Sequence, residues 1–248
     1  MEQVLLVTGG SRGIGAATAI LAARHGYSVA VNYTAQAGAA QAVVAQIRAA
    51  GGKAMAVQCD VSIEEQVVAM FNAVDAQLGR VNALVNSAGV VDARARVDEM
   101  SAARIRRMFD VNVLGSMLCA REAVLRMSTL HGGSGGAIVN LSSAASRLGS
   151  PGQYVDYAAA KGAIDAFTLG LAKEVAAEGI RVNAVRPGLI DTQIHAAGGI
   201  PDRVRQLAPQ VPMQRGGTPE EVAQAIIWLL SPQSSYVTMA LLDVSGGR

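Results

Sequence analysis

Tyr157 and Lys161 stand four residues apart in Tyr157-Ala158-Ala159-Ala160-Lys161, a spacing that on a helix puts both side chains on one face. A free tyrosine has a pKa of about 10, too high to exchange protons readily near neutrality. A neighbouring ammonium favours the phenolate and lowers that value, as would the positive ring of an oxidised nicotinamide. The pair therefore suits general acid–base work at an oxygen, and Lys161 can also hold ribose hydroxyls. The same spacing arises by chance on many helices, so it gains meaning only from what converges on it. Leu141-Ser142-Ser143 follows a β-rich run, where a hydroxyl can bond a substrate oxygen and orient the phenol. Ser143 is expected in that role, with Ser142 as the alternative. Asn112 falls within a helical stretch, an unfavourable place for Asn unless its side chain bonds locally to the backbone.

The second group is Thr8-Gly9-Gly10-Ser11-Arg12-Gly13-Ile14-Gly15, which links a first strand to a first helix. Glycines 9, 13 and 15 allow a tight turn and close approach of backbone to ligand. The helix N-terminus then presents unpaired N–H groups to a pyrophosphate. Adenosine selectivity is read about 20 residues further on. There Asn32-Tyr33-Thr34 offers no carboxylate for a ribose 2′-hydroxyl, while Arg12 sits within the turn. Asn32 and Thr34 can donate hydrogen bonds, so NADP(H) is expected over NAD(H). Asp60, at the end of the third strand, could bond the adenine amino group or equally cap the helix beginning near Ile63. Asn86-Ser87-Ala88-Gly89 closes the fourth strand, where Gly89 lets the backbone pass beside the cofactor.

Positioning these groups requires a repeated strand-helix frame. Apolar runs near 4–8, 28–32, 54–58, 83–86, 137–141, 181–186 and 241–244 are continuous rather than alternating, as in strands covered on both faces. Helical stretches at 16–25, 37–50, 63–78, 102–127, 155–177 and 219–230 lie between them. The pattern predicts an α/β fold with a parallel sheet, and no break suggests more than one domain over residues 1–248. Gly132 to Gly136 reads as a surface turn. The irregular stretch 187–218 reads as a pocket wall, with a substrate loop at about 189–217.

Half of the 248 residues (51%) are hydrophobic and 16% are charged, enough for a sizeable core and too apolar for a disordered chain. A net charge of +2 and 4% aromatics argue against a nucleic-acid partner. Arg104, Arg106 and Arg107 read as a solvated face or subunit contact. No membrane span or leader is expected, and Cys59 and Cys119 read as reduced, buried thiols of a cytoplasmic protein. The scattered His25, His131 and His195 give no metal site.

The turn, the Asn86–Gly89 motif, Asn112, Ser143, Tyr157, Lys161 and Arg186-Pro187-Gly188 with Thr192 together resemble the classical short-chain dehydrogenase/reductases, over essentially the whole chain. The resemblance implies a doubly wound Rossmann fold with a seven-stranded parallel sheet and, as a rule, a homotetramer. It implies a catalytic tetrad of Asn112, Ser143, Tyr157 and Lys161, with Asn112 holding a water in a proton relay. Pro187, Gly188, Ile190 and Thr192 would line the nicotinamide, joining Gly9, Ser11, Arg12, Gly13, Ile14, Gly15, Tyr33, Asp60, Val61, Asn86, Ala88 and Gly89 around the cofactor. Two departures stand out: an extra residue in Tyr154-Val155-Asp156, and Met239 where relatives carry Gly. Met239 would require local rearrangement if that glycine has positive φ.

The expected substrate wall is Val90, Ala144, Ala145, Leu148, Gln153, Leu189 and His195, with no cluster of arginines to grip an anion. A neutral, moderately hydrophobic ketone or aldehyde follows, converted by hydride transfer with Tyr157 as acid or base. Alternatives are a 3-oxoacyl thioester reductase, a sugar dehydrogenase, or a dinucleotide-sensing regulator that performs no chemistry.

Overall fold

Each apolar run needs cover on both faces, and the chain meets that need with one parallel sheet between two helical layers. The strands are β1 (Val4–Thr8), β2 (Ser28–Tyr33), β3 (Ala54–Gln58), β4 (Ala83–Asn86), β5 (Gly136–Leu141), β6 (Ile180–Pro187) and β7 (Leu241–Val244). Their order is β3-β2-β1-β4-β5-β6-β7, with every neighbouring pair parallel. This is the seven-stranded doubly wound sheet expected from the sequence. The winding reverses between β1 and β4, which opens a crevice at the carboxyl ends of the strands. The computed structural model describes residues 3–193 and 202–248.

Alternate strand side chains feed the two layers. Leu5, Val7, Val29, Val31, Val85 and Val139 pack under α1 (Gly13–Arg24), α2 (Ala37–Ala49) and a late helix, Pro219–Leu230. Val4, Leu6, Ala30, Leu84, Ile138 and Val182 pack under α3 (Glu64–Leu78), α5 (Gly115–Met127) and α7 (Val155–Val175). Burying one such Leu or Ile contributes roughly 2 kcal/mol, so the sheet is a rigid platform for the loops at its carboxyl edge.

Three features depart from the sequence reading. The stretch 102–127 is not one regular helix: α4 (Ala102–Phe109) passes through a π-turn at Asp110–Leu114 before α5. Asn112 lies in that turn and donates from Nδ2 to the Met108 carbonyl at 2.9 Å, taking an acceptor the helix would otherwise use. Two short helices, α6 (Ala145–Leu148) and α8 (Arg203–Leu207), carry no signature in the sequence, because four or five residues show no resolvable period. Pro219–Leu230 is therefore α9, started by a capping box of Thr218 and Glu221. Finally, Met239 keeps a left-handed backbone, φ 65°, and its N–H donates to the Val182 carbonyl at 2.7 Å, so the position absorbs the strain rather than rearranging.

Among the described residues no helix is long and apolar enough to cross a membrane.

Candidate active site

A cleft of about 610 Å³ runs along the carboxyl ends of the central strands. At one end lies the glycine turn. Gly9 and Gly13 have positive φ, and a Cβ on Gly9 would stand 2.9 Å from the Ala88 Cα. A Cβ on Gly15 would meet the Gly9 carbonyl oxygen at 2.4 Å. Backbone against backbone leaves no room for side chains, and α1 then starts with no acidic residue in its first turn and no side-chain cap. Its N–H groups and positive end stay available to an anion. Ser11, Arg12, Ile14, Tyr33, Asp60, Val61, Ala88 and Gly89 also face the cleft, as do Pro187, Gly188, Ile190 and Thr192. Thr8, which the sequence reading passed over, accepts the Ser87 and Ala88 N–H groups, both at 3.0 Å, and so docks the β4 end on the turn.

The end of β2 corrects two expected cofactor contacts. Asn32 is 1% exposed; its Oδ1 accepts the Gly9 N–H at 3.1 Å and its Nδ2 donates to the Cys59 carbonyl at 3.1 Å. The Thr34 hydroxyl donates to that same carbonyl at 3.3 Å. Both donors are spent on β3, because parallel pairing of β2 with β3 brings that carbonyl within reach. Arg12 and the carboxylate-free run Tyr33 to Gln36 are what the cleft presents there. Asp60 accepts from both the backbone N–H and the hydroxyl of Ser62, at 3.0 and 2.7 Å, so it forms a local turn ahead of α3 while still facing the cleft. Asn86 turns away: it donates to the Ser116 carbonyl and to Asn140 Oδ1, each at 3.0 Å, bracing β4 against β5 and α5.

At mid-cleft, α7 carries Tyr157 and Lys161 on one face. The Tyr157 phenol is hydrogen-bonded to the Ser143 hydroxyl. Ser142 points the other way, donating to the Lys161 carbonyl at 3.2 Å, so Ser143 is the hydroxyl beside the phenol. Lys161 Nζ donates to the Leu141 carbonyl at 2.6 Å and lies 5.6 Å from the Tyr157 ring centroid. Burial pulls Lys161 down to about 8, opposed by the Asp165 carboxylate. The lowered tyrosine value expected from the sequence is not found. Burial pushes Tyr157 up, and the hydrogen bond from Ser143 only opposes that, because Lys161 is itself desolvated and tied to a carbonyl.

Asn112 is wholly buried, and its amide is braced by the backbone on either side of it. Nδ2 donates to the Val90 and Met108 carbonyls at 3.0 and 2.9 Å, and Oδ1 accepts the Val90 N–H at 3.0 Å. A Cβ on Gly89 would lie 2.8 Å from Asn112 Oδ1 and 3.8 Å from Lys161 Nζ, so Gly89 is where the two side chains meet the cleft. Arg104, expected on a solvated face, instead pairs with Asp156 at 2.8 Å, and Asp156 accepts the Tyr157 N–H at 2.9 Å. That bridge holds the first turn of α7 against α4. Cys59 and Cys119 are free and buried, and burial pushes Cys59 up to about 12, which leaves an inert thiol.

At the far end, Val90, Ala144, Ala145, Leu148 and Leu189 form an apolar wall. Gln153 is not part of it; its Oε1 accepts from Arg203 at 2.8 Å. His195 lies outside the described residues. The expected lack of arginines fails here: Arg203 and Arg248 both line the cleft, brought together from positions far apart in the chain. The ground for expecting an uncharged substrate goes with it. Among the described residues no cluster of His, Cys, Asp or Glu could hold a metal ion.

Comparison with known proteins gives three kinds of likeness. The family model described as enoyl-(acyl carrier protein) reductase matches residues 9–248. The oxidoreductase YgfF of Escherichia coli K12 is 59% identical over 245 residues, covering 99% of each chain. A cis-4-hydroxycyclohexanecarboxylate dehydrogenase of Sinomonas cyclohexanicum is 40% identical over 249 residues, covering 99% of this chain and 96% of the relative. Among solved structures, a doubly substituted short-chain dehydrogenase/reductase of Serratia marcescens has a TM-score of 0.89 at 33% identity, covering 99% of this chain and 97% of that one.

Proposed function

This chain belongs to the classical short-chain dehydrogenase/reductase family, and we propose that it uses NADP(H) to interconvert a ketone or aldehyde with the corresponding alcohol. Bound at the glycine turn, the cofactor supplies or accepts hydride at C4 of its nicotinamide. The observation that carries the reading is the meeting of Ser143, Tyr157 and Lys161 in the same cleft as that turn.

Tyr157 gives its phenolic proton to the carbonyl oxygen in reduction and removes it in oxidation. Ser143 donates to the same oxygen and stabilises charge developing there. Lys161 keeps positive charge near the phenol and is positioned to hold ribose hydroxyls. Asn112 sets the Val90 backbone and holds a relay water. Arg12, with no carboxylate at the β2 end, favours the 2′-phosphate. Leu189 and Gln193 serve as part of the substrate wall. The relative from Sinomonas is named for a secondary alcohol, the functional group proposed here.

Tyr157→Phe tests the chemistry. It should bind NADPH normally by fluorescence titration yet lose ketone reduction by about three orders of magnitude or more. Near-normal turnover would remove the phenol from the mechanism, and a lower KM for NADH than NADPH in the wild type would reverse the cofactor assignment. A substrate panel of ketones, acetoacetyl thioesters and sugars separates the acyl thioester and sugar alternatives.

We also propose a homotetramer. Leu114 at the end of the π-turn with Met117 and Leu125 on α5, and Trp228, Tyr236 and Met239 near β7, leave large apolar side chains exposed on two faces. Light scattering coupled to gel filtration should give four times the chain mass, and a monomer would exclude it. Two free cysteines suit a reducing compartment such as the cytoplasm.

A further inference from the structure

We infer that the substrate carries a carboxylate, held by Arg203 and Arg248 at the end of the cleft away from the glycine turn, with Arg94 adding positive charge nearby. The inference rests on the proposed hydride-transfer reading and adds a substrate class to it. Three segments supply the arginines: the loop after β4, the first residue of α8, and the chain after β7. The Arg203 guanidinium lies 5.3 Å from the centroid of the Tyr154 ring and donates to Gln153 Oε1 at 2.8 Å. Two neutral partners thus fix its plane without neutralising it. Ala95 donates its N–H to the Gln153 carbonyl at 3.1 Å, which brings Arg94 to the same corner. Arg147 donates to the Arg248 main-chain oxygen at 3.2 Å and pairs with Asp243, which anchors Arg248 at the cleft.

The charge balance at this corner differs from that around three other arginines. Arg104, Arg126 and Arg186 each pair with a carboxylate at 2.6 to 2.9 Å. Among the described residues Arg203 forms no ion pair, and the ionisable groups that act on it are Tyr154, which favours its charge, and Arg94 and Arg248, which oppose it. Three acids on neighbouring segments are committed: Asp156 to Arg104, Asp243 to Arg147, and Asp202 to Arg205. A partly buried guanidinium next to like charges is unfavourable alone and is relieved by an anion that accepts its two parallel N–H bonds. Tyr154 precedes Tyr157 by three residues, and both line the same cleft as Arg203. The cleft also presents the apolar Val90, Ala144 and Leu148. A ketone at one end, an apolar middle and a carboxylate at the other describes a small oxo acid. An acidic protein fits less well, because Arg203 faces into the cleft.

The test uses the whole enzyme with NADP(H) and matched pairs of 3-oxobutanoate, 4-oxopentanoate and 5-oxohexanoate with their methyl esters. Binding is followed by calorimetry and reduction by NADPH absorbance. At least one acid should bind roughly tenfold or more tightly than its ester, the value of one charge-assisted contact. Arg203→Gln should collapse that acid-to-ester ratio toward one, and Arg203→Lys should restore part of it. Should Arg203→Gln misfold, Arg94→Gln must lower the ratio in its place. Acids that bind no better than their esters, or a ratio unmoved by these substitutions, overturn the carboxylate subsite even if esters are reduced. Acids that bind selectively yet are never reduced leave the subsite standing and overturn the redox reading instead.

Discussion

Lys161→Met isolates the energetic burden of a buried ammonium. Folding lowers the lysine from 10.5 to about 8, with burial as the main cause and Asp165 opposing it. A cation that binds its proton less tightly when folded destabilises the native state while charged. The cost is complete below about pH 8 and fades as pH rises toward the unfolded value. The difference corresponds to about 3 kcal/mol, of which about 2 kcal/mol should disappear between about pH 7 and about pH 9.5. Met keeps the apolar stem but leaves the Leu141 carbonyl without its donor, a penalty of about 1–3 kcal/mol that does not depend on pH. Urea unfolding at both pH values and one protein concentration separates the two effects. Wild type should gain about 2 kcal/mol over the variant on going to the higher pH, since every other titrating group is common to both proteins. Parallel pH profiles would refute the claim that Lys161 is a desolvated cation. Turnover should be lost in the variant at both pH values, so the stability given up at Lys161 is tied to the reaction.

Gly15→Ala should leave the protein folded but weaken NADPH binding by roughly tenfold or more, because its Cβ would stand 2.4 Å from the Gly9 oxygen and force the turn apart. Unchanged affinity in a fluorescence titration would show that the turn does not hold the pyrophosphate. Met239→Gly should raise stability by about 1 kcal/mol in urea unfolding by relieving a left-handed φ of 65°, and a loss of stability would mean that the side chain's packing outweighs the strain. Asn32→Leu should weaken cofactor binding without touching the cofactor, since it releases the Gly9 N–H and the β3 carbonyls together. A variant with normal NADPH affinity would show that the turn keeps its shape unaided.

Much of the architecture is written locally. Continuous Val, Leu and Ile in short runs, helical stretches between them, and glycines at 9, 13 and 15 specify a covered parallel sheet with an anion-ready first turn, because backbone period and steric room act over a few residues. The four-residue step from Tyr157 to Lys161 likewise follows from helical geometry alone. Which polar groups remain available does not. Strand pairing commits the donors of Asn32 and Thr34 to the Cys59 carbonyl, and the Val90 and Met108 carbonyls take those of Asn112. Ser143 and Ser142 are adjacent in sequence, and only the position of α7 decides which of them meets the phenol. Arg94, Arg203 and Arg248 share no motif. They become a charged corner because three loops end at the same edge of the sheet, and convergence of that kind depends on distances through space that spacing along the chain does not encode.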